Sequence, residues 1–175
     1  MENGNIRNMT VTALVTAVVC VLGPIVIPTA PIPFSLQVFS VFLAVCVLGA
    51  KRGTVAVALY LLIGAVGVPV FAGFAGGAAR FVAPAGGFLV GFIPLAVISG
   101  IFIDRFPDRP LVQFAGMLIG LAVLYAFGTA WLIALTKFPL EKALKAAVYP
   151  FVAIDCAKAV LAIIVGRAVK KRVKV

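Results

Sequence analysis

The sequence predicts an all-α integral membrane protein, a bundle of six transmembrane helices in a single domain (1–175) with both termini cytoplasmic. Composition is the first reason. Hydrophobic residues make up 64% of the chain and charged residues 11%, whereas a soluble domain is near half apolar and a quarter charged. The second is segmentation into apolar runs at roughly 10–28, 34–50, 54–71, 86–103, 111–135 and 148–169, each near the ~20 residues that cross a bilayer as a helix. The third is the placement of cations. Ten of the fifteen Lys and Arg fall on alternate breaks and the termini, four on the other breaks, and Lys158 lies inside a run. An excess of Lys and Arg marks the cytoplasmic side.

Every run is expected to be helical, because lipid offers unpaired backbone groups no partner. The first run carries MTVTALVTAVVC, in which Ala13 and Ala17 are small residues four apart, with Thr12, Thr16 and Cys20 alongside. That spacing lets another helix approach closely, either within the bundle or in another protein. Glu2 and the lack of a small-residue cleavage site favour a retained span over a signal peptide. The break PTAPIP, 28–33, leads to PIPFSLQVF, which sets Ser35 and Gln37 at the start of the second run. These two side chains either bond a polar ligand or cap the helix.

KRG at 51–53 separates the second run from the third, which contains Tyr60 and Phe71. The outer segment 72–86, AGFAGGAARFVAPAG, holds one charge, Arg80, whose guanidinium suits a carboxylate. DRFPDRP at 104–110, with Asp104 and Asp108 among arginines, reads as a solvated connector, and TKFPLEKALKAA at 136–147 as the third outer loop. Proline and glycine gather on the outer side, including Pro24, Pro28, Pro31, Pro33, Pro69, Gly76, Gly77 and Pro84. Irregular backbone near membrane depth persists where it is covered by protein or faces a watery cavity, so an outward-facing pocket is expected. Phe34, Tyr60, Phe71, Phe74, Phe81 and Phe88 supply aromatic surface in that region, a subset of it as pocket wall.

The last run raises the chemical question. YPFVAIDCAKAVLAIIVG keeps Asp155 and Lys158 three apart, hence on one helix face. An ionisable group inside a span costs about 2.5–3.5 kcal/mol on insertion scales. The pair therefore offsets its own burial, lines a binding site, or does both.

Other functions lack their parts. The chain has no GxxxxGK[ST] loop, so it is not expected to hydrolyse ATP; it has no histidine, and one carboxylate inside the runs. Metal-assisted or paired-acid catalysis is not expected, nor is a resident cofactor or metal. A lipid-processing hydrolase is the enzyme alternative, and it lacks a nucleophile–base pair. The net charge of +10 fits the orientation pattern rather than a nucleic-acid partner. Cys20, Cys46 and Cys156 read as small packing residues.

PIPFSLQ, KRGTVAVALYLLIGAVGVPVFAG, FVAPAGGFLVGF and the Asp-x-x-Lys of PFVAIDCAKA, in that order from about residue 9 to 168, resemble the BioY family. These are the biotin-specific substrate-binding components of energy-coupling factor transporters. The resemblance implies a six-helix bundle in the cell membrane with an outward-facing biotin pocket. Its implied partners are a transmembrane coupling protein and a pair of ATPases, with ATP hydrolysed by those subunits, and transport is thought to involve toppling in the bilayer. It also implies that Ala13 and Ala17 meet the coupling protein. Asp155 and Lys158 are implied to recognise ligand; the chemistry of biotin then assigns Asp155 to the ureido N–H groups and Lys158 or Arg80 to the carboxylate. Gln37 and Ser35 are secondary polar contacts, with Tyr60 and Phe71 among the aromatic ones. Where the family often has Gly-Pro-Thr-Gly-Gly, this chain has APAGG at 83–87, so Ala85 replaces a hydroxyl. The alternatives are another carboxylated vitamin in the same fold, or a solitary biotin carrier or channel working without ATPases.

Overall fold

The computed structural model describes residues 2–27 and 34–173. Pro28, Pro31 and Pro33 lie outside the described residues. The elements are α1 (Glu2–Leu22), β1 (Val26–Ile27), β2 (Phe34–Ser35), α2 (Gln37–Ala65), α3 (Ala79–Val82), α4 (Gly86–Arg105), α5 (Pro110–Thr136), α6 (Leu140–Ala147) and α7 (Tyr149–Val173). Four stretches are long and apolar enough to cross a membrane: Gln37–Ala65, Gly86–Arg105, Pro110–Thr136 and Leu140–Arg172. Ile6–Leu22 is a shorter apolar helix. The protein is an all-helical membrane protein with a minor antiparallel ribbon, β1 against β2, pairing Val26 with Ser35 and Ile27 with Phe34.

α2 is the centre of the bundle and is not straight. Gly49 has φ 77° and ψ −174°, far from helical values. Beyond it the chain turns back. Gln37 Nε2 donates to Tyr60 Oη at 2.7 Å, although 23 residues of straight helix would separate them by roughly 35 Å. Gly53 likewise lies so close to Val45 that a Cβ on it would sit 2.8 Å from the Val45 Cα. The second and third apolar runs are thus two arms of a helical hairpin, 37–48 and 50–65. α1, α4 and α7 pack around it.

Lipid does not drive helices together as water does, so close packing must. Small residues allow that approach. A Cβ built on Gly116 would lie 2.3 Å from the Phe102 ring, and one on Gly120 2.8 Å from Ser99 Oγ, so α4 and α5 meet over glycines spaced four apart. In α1 the inward face is Thr12, Thr16 and Val19. Thr12 and Thr16 donate to the carbonyls four residues back, at 2.8 Å each, which satisfies hydroxyls that have no water. Ala13 and Ala17 are exposed on the other face.

Three of the sequence expectations need correction. Asp104 is exposed but not in the connector itself; it sits in the last turn of α4 and its Oδ2 accepts from the Ala50 N–H at 2.8 Å. That N–H opens the second arm of α2, where the reversal leaves helix-terminal donors unpaired, so a carboxylate is favoured there. Asp104→Ala is expected to cost about 1 kcal/mol, seen as a lower melting midpoint in detergent. The outer segment 136–147 is not a plain loop, because Leu140–Ala147 forms α6 with Ala143 buried and Leu140 exposed. The run 54–71 leaves the helix at Ala65; Val66 to Pro69 are exposed, and Val70 and Phe71 return to the core. Gly64 makes room for that return, since a Cβ on it would be 2.1 Å from the Phe71 ring.

The hydrogen bonds define two ends. Arg52 donates to Asn8 Oδ1 at 2.7 Å, Ala50 N to Asp104, and Arg167 to the Pro107 carbonyl. These gather the start of α1, the Gly49 turn, the end of α4 and the end of α7 into one basic end. The ribbon, the 66–85 segment and α6 lie at the other end.

Candidate binding site

At the end opposite the basic cluster, the bundle encloses a cavity of ≈ 460 Å³, within the ~300–1,000 Å³ span of small-molecule sites. Several parts of the chain build it, Ala146 and Ala147 of α6 among them. The first is the start of α2. Leu36 precedes that helix without a side-chain cap, so Ser35 and Gln37 are not used as caps. Instead, Ser35 Oγ donates to Gln37 Oε1 at 3.4 Å, while the Gln37 amide is held by Tyr60. Both line the cavity.

The 66–85 segment supplies the second wall. Phe71 pairs backbone with Ala75 in an isolated antiparallel bridge. Its ring stands edge-on to Tyr60 (centroids 5.6 Å) and to Phe81 (5.7 Å), an arrangement the ring quadrupoles favour. Phe71 and Arg80 line the cavity, Arg80 from the short turn α3. Ala85, where the resemblance expects a hydroxyl, is also in the wall. The segment is tied to α5 by Trp131 Nε1, which donates to the Ala83 carbonyl at 3.1 Å.

α4 and α5 add Phe88, Phe92 and Tyr125, and α7 adds Phe151 and Asp155. The Asp155 carboxylate is 2% exposed and both its oxygens are engaged: Oδ1 accepts from Lys158 Nζ at 2.7 Å and Oδ2 from Tyr125 Oη at 2.7 Å. An ionised carboxylate has about four lone-pair positions. Two donors hold it without exhausting its capacity to accept from a guest in the cavity.

Of the residues singled out from sequence, Asp155, Arg80, Gln37, Ser35 and Phe71 meet at this one cavity. Lys158 and Tyr60 do not line it; each stands behind a residue that does, Lys158 behind Asp155 and Tyr60 behind Gln37. Phe74 points away, 71% exposed. Sequence reasoning missed Tyr125, Phe92 and Phe151. A lone tyrosine in the middle of α5 was the one available signal, a hydroxyl in lipid needing a partner; the phenylalanines carried none. Among the described residues no group of His, Cys, Asp or Glu is placed to hold a metal.

The arrangement offers an apolar, aromatic chamber with one buried acceptor and one guanidinium. A family model for the BioY family matches residues 1–175. The chain belongs to the BioY family. Its similarity to individual BioY proteins is spread over nearly the whole length. The biotin transporter BioY of Thermotoga maritima is 40% identical over 165 residues, covering 94% of this chain and 96% of the relative. That of Rhizobium etli is 39% identical over 174 residues, covering 93% and 92%. Among solved structures, the crystal structure of the S-component for biotin from an ECF-type ABC transporter is similar at a TM-score of 0.88. It is 28% identical, with 98% of this chain and 94% of that chain covered. The overall fold is therefore shared with that structure over nearly the whole chain.

Proposed function

We propose that this BioY chain is the membrane-embedded substrate-binding component of an ECF-type transporter and that the cavity takes biotin. It is a transporter component, not an enzyme. The observation that carries the assignment is the sharing of one apolar cavity by Asp155 and Arg80. Biotin needs an acceptor for its ureido N–H groups, apolar walls for its fused rings and a cation for its carboxylate tail. Asp155 meets the N–H donors, Phe71, Phe88 and Phe92 cover the rings, Arg80 meets the tail, and Gln37 and Ser35 are secondary polar contacts. Lys158 serves the ligand through Asp155, by donating to its Oδ1 at 2.7 Å and so holding the carboxylate in place.

The mapping is tested by purifying the chain in detergent, identifying any co-purified small molecule by mass spectrometry, and titrating the ligand-free protein with biotin. Biotin is expected to bind, and lipoate, a carboxylated vitamin without the ureido group, is expected not to compete. Equal competition by lipoate would overturn the assignment of Asp155. Arg80→Gln is expected to weaken biotin by about tenfold, the scale of one charge-assisted hydrogen bond, and to leave the methyl ester of biotin unaffected. Loss of binding to both would place Arg80 elsewhere.

Counting the α2 hairpin as two spans and α1 as one, the chain crosses the membrane six times. The basic end is cytoplasmic and the cavity faces outward, by the excess of cations at that end. Labelling of Lys145→Cys from outside the cell, and of Lys171→Cys only after permeabilisation, checks this in a background without the native cysteines. The exposed Ala13 and Ala17 face of α1 docks the coupling protein, which with its ATPase pair supplies the energy; small side chains there permit close helix contact. Ala13→Leu/Ala17→Leu is expected to abolish co-purification with the coupling protein while biotin titrates as before.

A further inference from the structure

The basic end carries a feature that the biotin cavity does not use. Between α1 and the second arm of α2 runs an open cleft of ≈ 790 Å³. Its mouth holds three cations: Lys51 and Arg52 just after the Gly49 turn, and Lys170 near the end of α7. One acid lies there, Asp104, and its Oδ2 already accepts from the Ala50 N–H. Arg52 is steadied by a neutral partner, Asn8 Oδ1, so its charge is not offset. Among the described residues, neither Lys51 nor Lys170 forms an ion pair.

The walls change character along the cleft. Away from the cations it is flanked by Val55 and Leu59 on the second arm, which are 47% and 41% exposed. Val55 and Leu59 are four apart and so share a face. From Lys51 to Leu59 the arm rises roughly 12 Å toward the bilayer centre. Concentrated positive charge at one end and an apolar trough leading into the membrane together match a phosphate headgroup with attached acyl chain. A free phosphate would leave the trough empty. A neutral lipid would leave the excess of three cations over one acid uncompensated.

We propose that this cleft binds one anionic phospholipid, its phosphate at Lys51, Arg52 and Lys170 and an acyl chain along Val55 and Leu59. Basic pockets between helices at a headgroup layer are suited to acidic lipids, since each nearby cation favours them several-fold. Ala13 also borders the cleft, so a helix docking on α1 and the lipid share a boundary there.

The test is native mass spectrometry of the purified full chain in detergent, titrated with phosphatidylglycerol, with phosphatidylcholine as the neutral control. One phosphatidylglycerol is expected to stay bound under conditions that strip phosphatidylcholine. Neutralising one cation at a time (Lys51→Gln, Arg52→Gln, Lys170→Gln) should weaken retention about fivefold each, and the triple variant about a hundredfold. Lys145→Gln, at the opposite end, should leave it unchanged. Val55→Asn/Leu59→Asn should weaken retention with all three cations present. Equal retention of the two lipids, an unaffected triple variant, or displacement of the lipid by millimolar inorganic phosphate would each overturn the proposal. Helical circular dichroism of each variant checks folding. No biotin enters the readout, so the outcome is independent of the reading of the cavity.

Discussion

Asp155→Asn is expected to weaken biotin binding at least tenfold and to lower the stability of the empty protein as well. The two effects have different origins. A charge-assisted hydrogen bond to ligand is worth about 1.5–3 kcal/mol away from water, and the amide presents N–H where the ligand also presents N–H. Stability falls because Lys158, 8% exposed, loses the negative charge of the carboxylate that lies 2.7 Å from its ammonium; removing one charge of a buried pair costs about 3–5 kcal/mol. The double variant Asp155→Asn/Lys158→Met separates them. It removes the stranded charge, so the melting midpoint should recover much of the loss, while biotin affinity should not return. If Asp155→Asn binds biotin as the native chain does, the ureido assignment fails, whatever happens to the melting midpoint. Tyr125→Phe provides a graded companion: it removes one donor from Oδ2 and is expected to cost only about 1 kcal/mol.

Gly100→Leu should be strongly disruptive although it lies outside the cavity. A Cβ on Gly100 would meet the Ala50 Cα at 2.4 Å and the Ala50 nitrogen at 3.0 Å. These are backbone atoms at the hairpin turn, so no rotamer change relieves the contact; α4 and the second arm of α2 must separate. Overpacking of a well-filled site typically costs about 1–3 kcal/mol, and this one also displaces Asp104 from the Ala50 N–H. The expectation is failure to purify as a monodisperse helical protein, or a melting midpoint far below the native one. Ala126→Leu, on the exposed face of α5, adds the same side chain without that contact and should behave as native. A Gly100→Leu protein with native stability would show that the turn is not packed as described.

Much of the site was visible in the sequence because charges in apolar runs are scarce and each must be accounted for. Asp155, Lys158 and Arg80 announced themselves in this way, and Ser35 and Gln37 through their place at the mouth of an apolar run. Lys158 and Tyr60 were read as lining the cavity because sequence marks a residue as unusual without saying which of two paired groups stands in front. Phe92 and Phe151 gave no sign, since a phenylalanine facing a cavity and one facing lipid look alike in a chain this apolar.

By itself, the sequence determined the medium, the helical segments, the basic end and the scarce charges, since each follows from local chemistry: the cost of backbone and charge in lipid, and the cation bias of one side. Tertiary structure alone decided that α2 doubles back at Gly49, that Asp104 caps the returning arm, and that residues as distant as 35, 80 and 155 enclose one space. Those outcomes depend on how closely backbones approach across glycines far apart in the chain, and a distance of that kind is not encoded in any local pattern.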